Sequence, residues 1–282
     1  MRQQILWRTI SQQRSRGFCR GRKNVVESAP VARIYGIIPA RWGSTRFPGK
    51  ALHPLAGKPL IQHVWNRCKE ASALQDVIVA TDDPRIATAV RDFGGRAELT
   101  SADHPSGTDR LAEVAARLTD ATHFINVQGD EPTVPAGLID RLAQTLAGDS
   151  DLEMVTAATR LEDAADFENP NVVKVVLAVN GDALYFSREP IPYAGFLASR
   201  AGIPIYGHHG IYGYTRELLQ RFVSWPPSPL EKIERLEQLR ALENGARIRV
   251  LITDHAALGV DSPADVAHAE SALSTLSALT PP

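Results

Sequence analysis

Residues 34–50 read IYGIIPARWGSTRFPGK. A short apolar run breaks into a loop that carries Arg41, Arg46 and Lys50 among glycines and prolines, the pattern of a buried strand that empties into a loop at the edge of a parallel sheet. Three cations on one such loop repel one another unless an anion sits among them, and a triphosphate suits that charge. The spacing excludes a P-loop: five residues separate Gly43 from Gly49 and Ala51 follows Lys50, whereas that motif needs four residues and then a hydroxyl. No GxGxxG dinucleotide fingerprint occurs here either. Read without its surroundings, the stretch has a lesser alternative as a surface loop with solvated basic residues.

Working outward, the pattern repeats. Leu60, Ile61, Val64, Trp65 and Cys68 fall at helical spacing, and Asp76 to Ala80 is a β-branched strand ending at Thr81, Asp82 and Asp83. A helix over 84–93 and a strand over 96–100 follow. A helix then opens at Ser106-Gly107-Thr108, and a strand over 123–127 ends on Gln128-Gly129-Asp130. Strand, helix, strand with short connections is the crossover unit of a parallel sheet. Ligands of such sheets bind at the carboxyl ends of the strands, so the polar clusters converge if these strands are neighbours.

Past Asp151 the texture changes. Asn180-Gly181 joins two apolar runs as a hairpin, and residues 152–245 read as an inserted or appended subdomain. Ser228-Pro229-Leu230-Glu231 has the capping-box pattern with proline at the first helical position, and predicts one helix to about Asn244. Glu231, Glu234, Arg235 and Gln238 would share its polar face. Ser262-Pro263-Ala264-Asp265 opens a final helix, with Asp261 just before its cap. Asp130 and Asp261, each on a loop after a strand, suit a magnesium ion that takes few carboxylates and completes its shell with phosphate oxygens and water.

With 282 residues and 31 basic against 32 acidic side chains, the chain can bury a large core but has no global charge for nucleic acid or an anionic membrane surface. Cys19 and Cys68 form no CxxC or Cys/His cluster, which points to neither a disulfide framework nor structural zinc. No run is long and apolar enough to span a membrane. Residues 1–33 hold seven arginines and Lys23 against Glu27 alone. They read as a disordered extension, from either an organellar presequence or a miscalled start, ahead of a cytoplasmic domain over 34–282.

In order, IIPARWGSTRFPGK, ATDD, HPSGTDRLAEV, NVQGDEP, NPNVVKVV, ALYFSR, HHGIYGY, SPLEKIERLEQLR and GVDSPAD resemble the 3-deoxy-manno-octulosonate (KDO) cytidylyltransferases, over nearly all of the chain from Ile34 onward. The resemblance implies an α/β fold: a Rossmann-like, mostly parallel sheet flanked by helices, of the nucleotide-diphospho-sugar transferase type, with a smaller mixed-sheet subdomain for dimerisation and sugar binding. It implies transfer of CMP from CTP to KDO, with release of pyrophosphate, to make the activated sugar of the lipopolysaccharide inner core, and a homodimer. By motif, Arg41, Arg46 and Lys50 would hold the triphosphate, and Ala80, Asp82, Ser106 and Gly107 would surround the cytosine. Asp130 and Asp261 would bind Mg2+, and Gln128, Arg188, His208, Tyr212, Glu231 and Gln238 would face KDO. Lys50, Arg41, Asp130 and Asp261 would be the catalytic set. This sequence departs from the family at Gly207, where a basic residue is usual, and in a shorter loop over 190–206. A related sugar acid as acceptor, or a metal-dependent glycosyltransferase on a similar sheet, are the alternatives.

Overall fold

The computed structural model describes residues 32–43, 46–193, 204–256 and 258–279. Most of the N-terminal extension expected from the sequence, and the middle of the loop over 190–206, lie outside the described residues.

The first half alternates as expected. Strand β1 (Ile34–Ala40) leads to a 3-10 turn (Lys50–Leu52) and a ribbon of β2 (Pro54–Leu55) and β3 (Lys58–Pro59). There follow α1 (Leu60–Lys69), β4 (Asp76–Thr81), α2 (Pro84–Asp92), β5 (Arg96–Leu99), α3 (Gly107–Arg117), β6 (His123–Asn126) and α4 (Ala136–Gly148). The second half adds β7 (Met154–Leu161), α5 (Ala164–Glu168), β8 (Lys174–Leu177), β9 (Ala183–Ser187), β10 (Ile205–Thr215) and α6 (Arg216–Ser224). It closes with α7 (Pro229–Glu234), α8 (Gln238–Glu243), β11 (Ile248–Ile252), a 3-10 turn (Pro263–Asp265) and α9 (Val266–Leu279).

The main sheet runs β11-β7-β10-β6-β1-β4-β5. Strands β6, β1, β4 and β5 pair in parallel, as does β11 with β7, while β10 is antiparallel to both β6 and β7. The segment 152–245 thus supplies β7 and β10 to the main sheet and hangs the antiparallel β8–β9 hairpin from β10. Asp182, at the start of β9, bridges to Arg249 of β11, and Val250 N donates to Gly181 O at 3.0 Å. Arg249 Nε (2.7 Å) and Arg247 Nε (3.1 Å) both donate to the Asp182 carboxylate.

Alternation along the strands separates two cores. Ile34, Ile38, Val77, Val79 and Ile125 face α1, α2 and α4, while Ile37, Ile78, Phe124, Met154 and Tyr214 face α3, α6 and α8. Each fully buried aliphatic side chain contributes about 1.5–3 kcal/mol of transfer free energy. A smaller cluster of Leu55, Leu60, Val260, Ala269 and Leu273 seats α9 beside the β2–β3 ribbon.

One expected element is corrected. The helix from Pro229 does not run through to Asn244: Arg235 adopts left-handed angles (φ 56, ψ 47) and splits it into α7 and α8. Glu234 supplies the cause, because its carboxylate accepts from Ser187 Oγ (2.6 Å) and Arg188 N (2.9 Å), and its carbonyl accepts from Arg188 Nε (2.9 Å). A carbonyl used that way is lost to the helix, and these bonds offset the strain of a non-glycine residue at positive φ.

Candidate active site

The loop after β1, the turn between β5 and α3, the loop after β6 and the residue before the final 3-10 turn's cap open into one cleft of about 400 Å³. Arg41, Arg46, Lys50, Ser106, Gly107, Gln128, Asp130 and Asp261 line it together. Of the clusters expected to converge, Arg41/Arg46/Lys50, the Ser106-Gly107 turn and Asp130 share this cleft, whereas Asp82 and Asp83 do not line it.

The basic loop is anchored from both ends. Gly49 sits at φ 71, a conformation that suits glycine, and donates its N–H to Trp42 O at 3.0 Å. The Trp42 indole covers Gly49 so closely that a Cβ there would lie 2.9 Å from a ring carbon. Arg85 stacks on the same indole: its guanidinium lies 3.4 Å from the centroid of a Trp42 ring, and Asp83 grips it through Nε (2.9 Å) and Nη2 (2.6 Å). The Arg85 hydrogen bonds hold the Asp83 carboxyl below its usual range. Asp83 also caps α2 through Arg85 N, so the ATDD turn braces the loop that presents Lys50.

Lys50 Nζ donates to Asp130 Oδ2 (2.5 Å), Asp261 Oδ1 (3.2 Å) and Val260 O (3.2 Å), and Arg46 Nη2 pairs with Asp261 Oδ2 at 3.0 Å. Val260 N donates to Asp130 O at 2.9 Å, tying the two carboxylate-bearing loops to each other. Asp261 is positioned by the cap behind it, since its N–H and that of Ser262 both donate to Asp265 Oδ2. The Ser262 N–H chiefly holds the Asp265 carboxyl below its usual range. Gly129 permits the close approach of this turn to β1, as a Cβ there would meet Pro39 O at 2.8 Å.

At the far end of the cleft, Ser106 caps α3 by accepting from Asp109 N, and Gly107 packs against Pro39. Asp82 stands behind this turn. Its Oδ2 accepts from Arg110 Nη2 at 3.0 Å, while its buried Oδ1 has no hydrogen-bond partner among the described residues. Ala80 is fully buried in β4, opposite Pro39 of β1. Arg110, almost wholly buried and lining the cleft, was not anticipated; its signal was its position one turn into a helix whose start was recognised. Glu131 was also missed: burial, then the neighbouring Asp130 charge, push its carboxyl up to about 8.

The remaining expected residues are placed differently. Gln128 bridges the two regions by donating from Nε2 to Gly210 O at 2.8 Å. Arg188, His208, Tyr212, Glu231 and Gln238 do not line the cleft. Arg188 is braced by Glu234 and by Pro170 O, and fully buried Lys174 donates to Arg188 O and Asn169 O. His208 lies between Phe186 and Tyr212, with Nε2 2.9 Å from Thr156 Oγ1, and burial pushes its pKa down to about 3. Burial also raises the Tyr212 hydroxyl well above its ordinary value. Glu231 is committed to Arg240 through two bonds (2.5 and 2.8 Å) and to Ser228 N. Burial alone would raise its carboxyl, but these donors outweigh that and hold it low. Gln238 is 4% exposed, and its Nε2 has no hydrogen-bond partner among the described residues. A side chain at Gly207 would have to displace Leu161 and Val172, with a Cβ 2.7 and 3.3 Å from them.

A parallel-sheet edge that gathers three cations and two carboxylates into one cleft defines a nucleotide-handling α/β protein. A family model for cytidylyltransferases matches residues 35–248. The 3-deoxy-manno-octulosonate cytidylyltransferase of Geobacter metallireducens is 51% identical over 244 residues, covering 83% of this chain and 95% of that relative. The protein of the same name from Thermodesulfovibrio yellowstonii is 48% identical over 254 residues, 86% of this chain and 98% of its own. A solved structure of a CMP:2-keto-3-deoxy-manno-octonic acid synthetase complexed with CTP superposes with a TM-score of 0.82 at 41% identity, covering 87% of this chain and all of that one. The chain belongs to the cytidylyltransferase family, and within it to the 3-deoxy-manno-octulosonate cytidylyltransferases.

Proposed function

We propose that the chain transfers CMP from CTP to KDO and releases pyrophosphate, supplying activated KDO for the lipopolysaccharide inner core. The observation that carries this reading is the single cleft shared by Arg41, Arg46, Lys50, Ser106, Gly107, Asp130 and Asp261. Cations at the mouth of the cleft suit the triphosphate, and the α3 N-terminus with Asp82 and Arg110 behind it suits the base. The KDO hydroxyl attacks the α-phosphorus while the bond to the leaving pyrophosphate breaks, so positioning and charge neutralisation carry the catalysis. Lys50 and Arg46 neutralise charge that develops on the α-phosphoryl oxygens and the leaving group.

The donor set fits Mg2+. Asp130 and Asp261 offer hard oxygen ligands close enough for one ammonium to touch both, and an ion held by few carboxylates takes the rest of its shell from phosphate and water. When bound there, it would supply further neutralisation of the phosphates and acidify a ligated hydroxyl.

On the acceptor side, Arg188 would meet the KDO carboxylate, with Gln128, His208, Tyr212 and Gln238 hydrogen-bonding or packing against the sugar. Glu231 would act there through the α7 cap and Arg240. A homodimer in the cytoplasm completes the reading. Apolar Leu184 (61% exposed) and Ile233 (77% exposed) support a second copy as their cover, and a monomeric mass by light scattering at micromolar concentration would overturn it.

The test is pyrophosphate release with Mg2+, CTP and KDO, beside ATP, GTP, UTP, sialic acid and a no-sugar control. Release that needs CTP and KDO together is expected. CTP binding without release on KDO would redirect the acceptor assignment to another sugar acid.

A further inference from the structure

The cation that Asp130 and Asp261 hold in the structure is the ammonium of Lys50. Its three N–H donors are matched by three oxygens: Asp130 Oδ2 at 2.5 Å, Asp261 Oδ1 at 3.2 Å and Val260 O at 3.2 Å. The second oxygen of Asp261 is taken by Arg46 at 3.0 Å. Both cations stand on the loop that suits the triphosphate, so the side chains that neutralise the carboxylates are the ones the phosphates would claim. The formal charges of Lys50, Arg46, Asp130 and Asp261 cancel. A divalent ion arriving alone must therefore displace an ammonium from a half-buried ion pair and leave an excess of positive charge. Arriving with a polyanionic triphosphate, it meets carboxylates whose lysine has a better partner.

We propose that Lys50 guards the carboxylate pair: its ammonium occupies the cation position between Asp130 and Asp261 until nucleotide phosphates draw it away, so that the divalent ion enters with the nucleotide and not ahead of it. Lys50 then has two stations, one on the carboxylates and one on the phosphates, and a single side chain couples metal entry to nucleotide arrival. This inference rests on the Asp130/Asp261 metal reading given above.

Mn2+ serves as the probe, with free ion counted by electron paramagnetic resonance and bound ion by water proton relaxation, on the full chain. Without nucleotide, Lys50→Met and Lys50→Gln are expected to bind Mn2+ at least about tenfold more tightly than the unaltered protein, equivalent to removing about 1.4 kcal/mol of competition. Lys50→Arg should stay weak, and adding Asp130→Asn to Lys50→Met should abolish the gain. Arg41 lines the same cleft, and no bond from it to either carboxylate occurs among the described residues. Arg41→Met should therefore gain less than about threefold, as expected of an exposed charge acting at a distance through solvent. Far-UV circular dichroism confirms that each variant is folded.

If Lys50→Met and Lys50→Gln, both folded, bind Mn2+ no more tightly than the unaltered protein, or no more than Arg41→Met does, the guard is refuted. A CTP arm separates this failure from that of the underlying reading. If Mn2+ relaxation in the presence of protein and CTP is unaltered by Asp130→Asn, the carboxylates do not hold the metal, and the metal reading and the guard fall together.

Discussion

The cleft at the ends of β1 and β6, closed by the start of α3, and the region around β10, α7 and α8 are built on opposite plans. In the first, charged side chains from separate loops point at one space and are paired chiefly with one another. In the second, Glu231 is consumed by Arg240 across the broken helix, Glu234 ties that helix to the β8–β9 hairpin, and Lys174 holds the carbonyls of Asn169 and Arg188. Charge in the cleft faces open space, whereas charge around β10 is spent on holding one element to another. The same residue types thus serve chemistry in one region and architecture in the other, and substitutions should divide accordingly.

The largest expected effect tests the architectural half. Glu231→Ala strands Arg240, whose side chain is 8% exposed, and should cost about 3–5 kcal/mol of folding free energy. Urea unfolding measures this; a loss below 1 kcal/mol would mean that Glu231 is not an architectural residue. Next, Lys50→Ala should leave stability nearly unchanged while turnover falls by about 10²–10³-fold, the size associated with losing one preorganised transition-state donor. Pyrophosphate release at saturating substrates reads this effect, and unchanged turnover would remove Lys50 from the mechanism.

Acid should also separate the halves. Burial pushes His208 down to about 3 and His209 to about 4, so both are neutral when folded at pH 5 but protonate readily when unfolded. The unfolded state therefore binds more protons below the ordinary histidine range. The associated stability is fully present above pH 6.5 and is lost as pH falls through that window toward the folded values, at up to about 1.4 kcal/mol per pH unit for each histidine. Unfolding curves between pH 7 and 4.5 should show this slope, and His209→Gln should flatten it. The smallest effect is the most selective: Arg188→Ala should raise KM for KDO about tenfold, the scale of one charge-assisted hydrogen bond, and leave KM for CTP alone. Equal changes in both would erase the distinction drawn between the two regions.

That distinction also explains what could be read from the sequence. β1, β4, β6 and the helices between them follow from apolar periodicity and Gly/Pro punctuation, but the meeting of Lys50 with Asp130 comes from β6 crossing back to lie beside β1, a strand order that periodicity does not display. The break at Arg235 was illegible for a physical reason: neither glycine nor proline marks it, and its cause is Glu234, which reaches a hairpin 46 and 47 residues earlier in the chain. Arg110 and Glu131 were hidden in the same way, since burial gives them their character and a single sequence does not display burial. Asp261 was legible through the local capping signal of Ser262 and Asp265.

The bridge from Asp182 to Arg249 has a consequence for solubility. β11 ends the strand order and would offer a row of unpaired backbone groups to any passing chain, the usual template for strand addition between molecules. The hairpin laid against Arg249 and Val250 occupies part of that row. At the opposite end, β5 is four residues long, with Arg96 and Glu98 on it. Its Arg96 makes ion pairs with Glu98 and with Asp76 of β4. One margin of the sheet is thus partly covered and the other is short and charged, so neither invites the edge-to-edge stacking by which wide sheets aggregate.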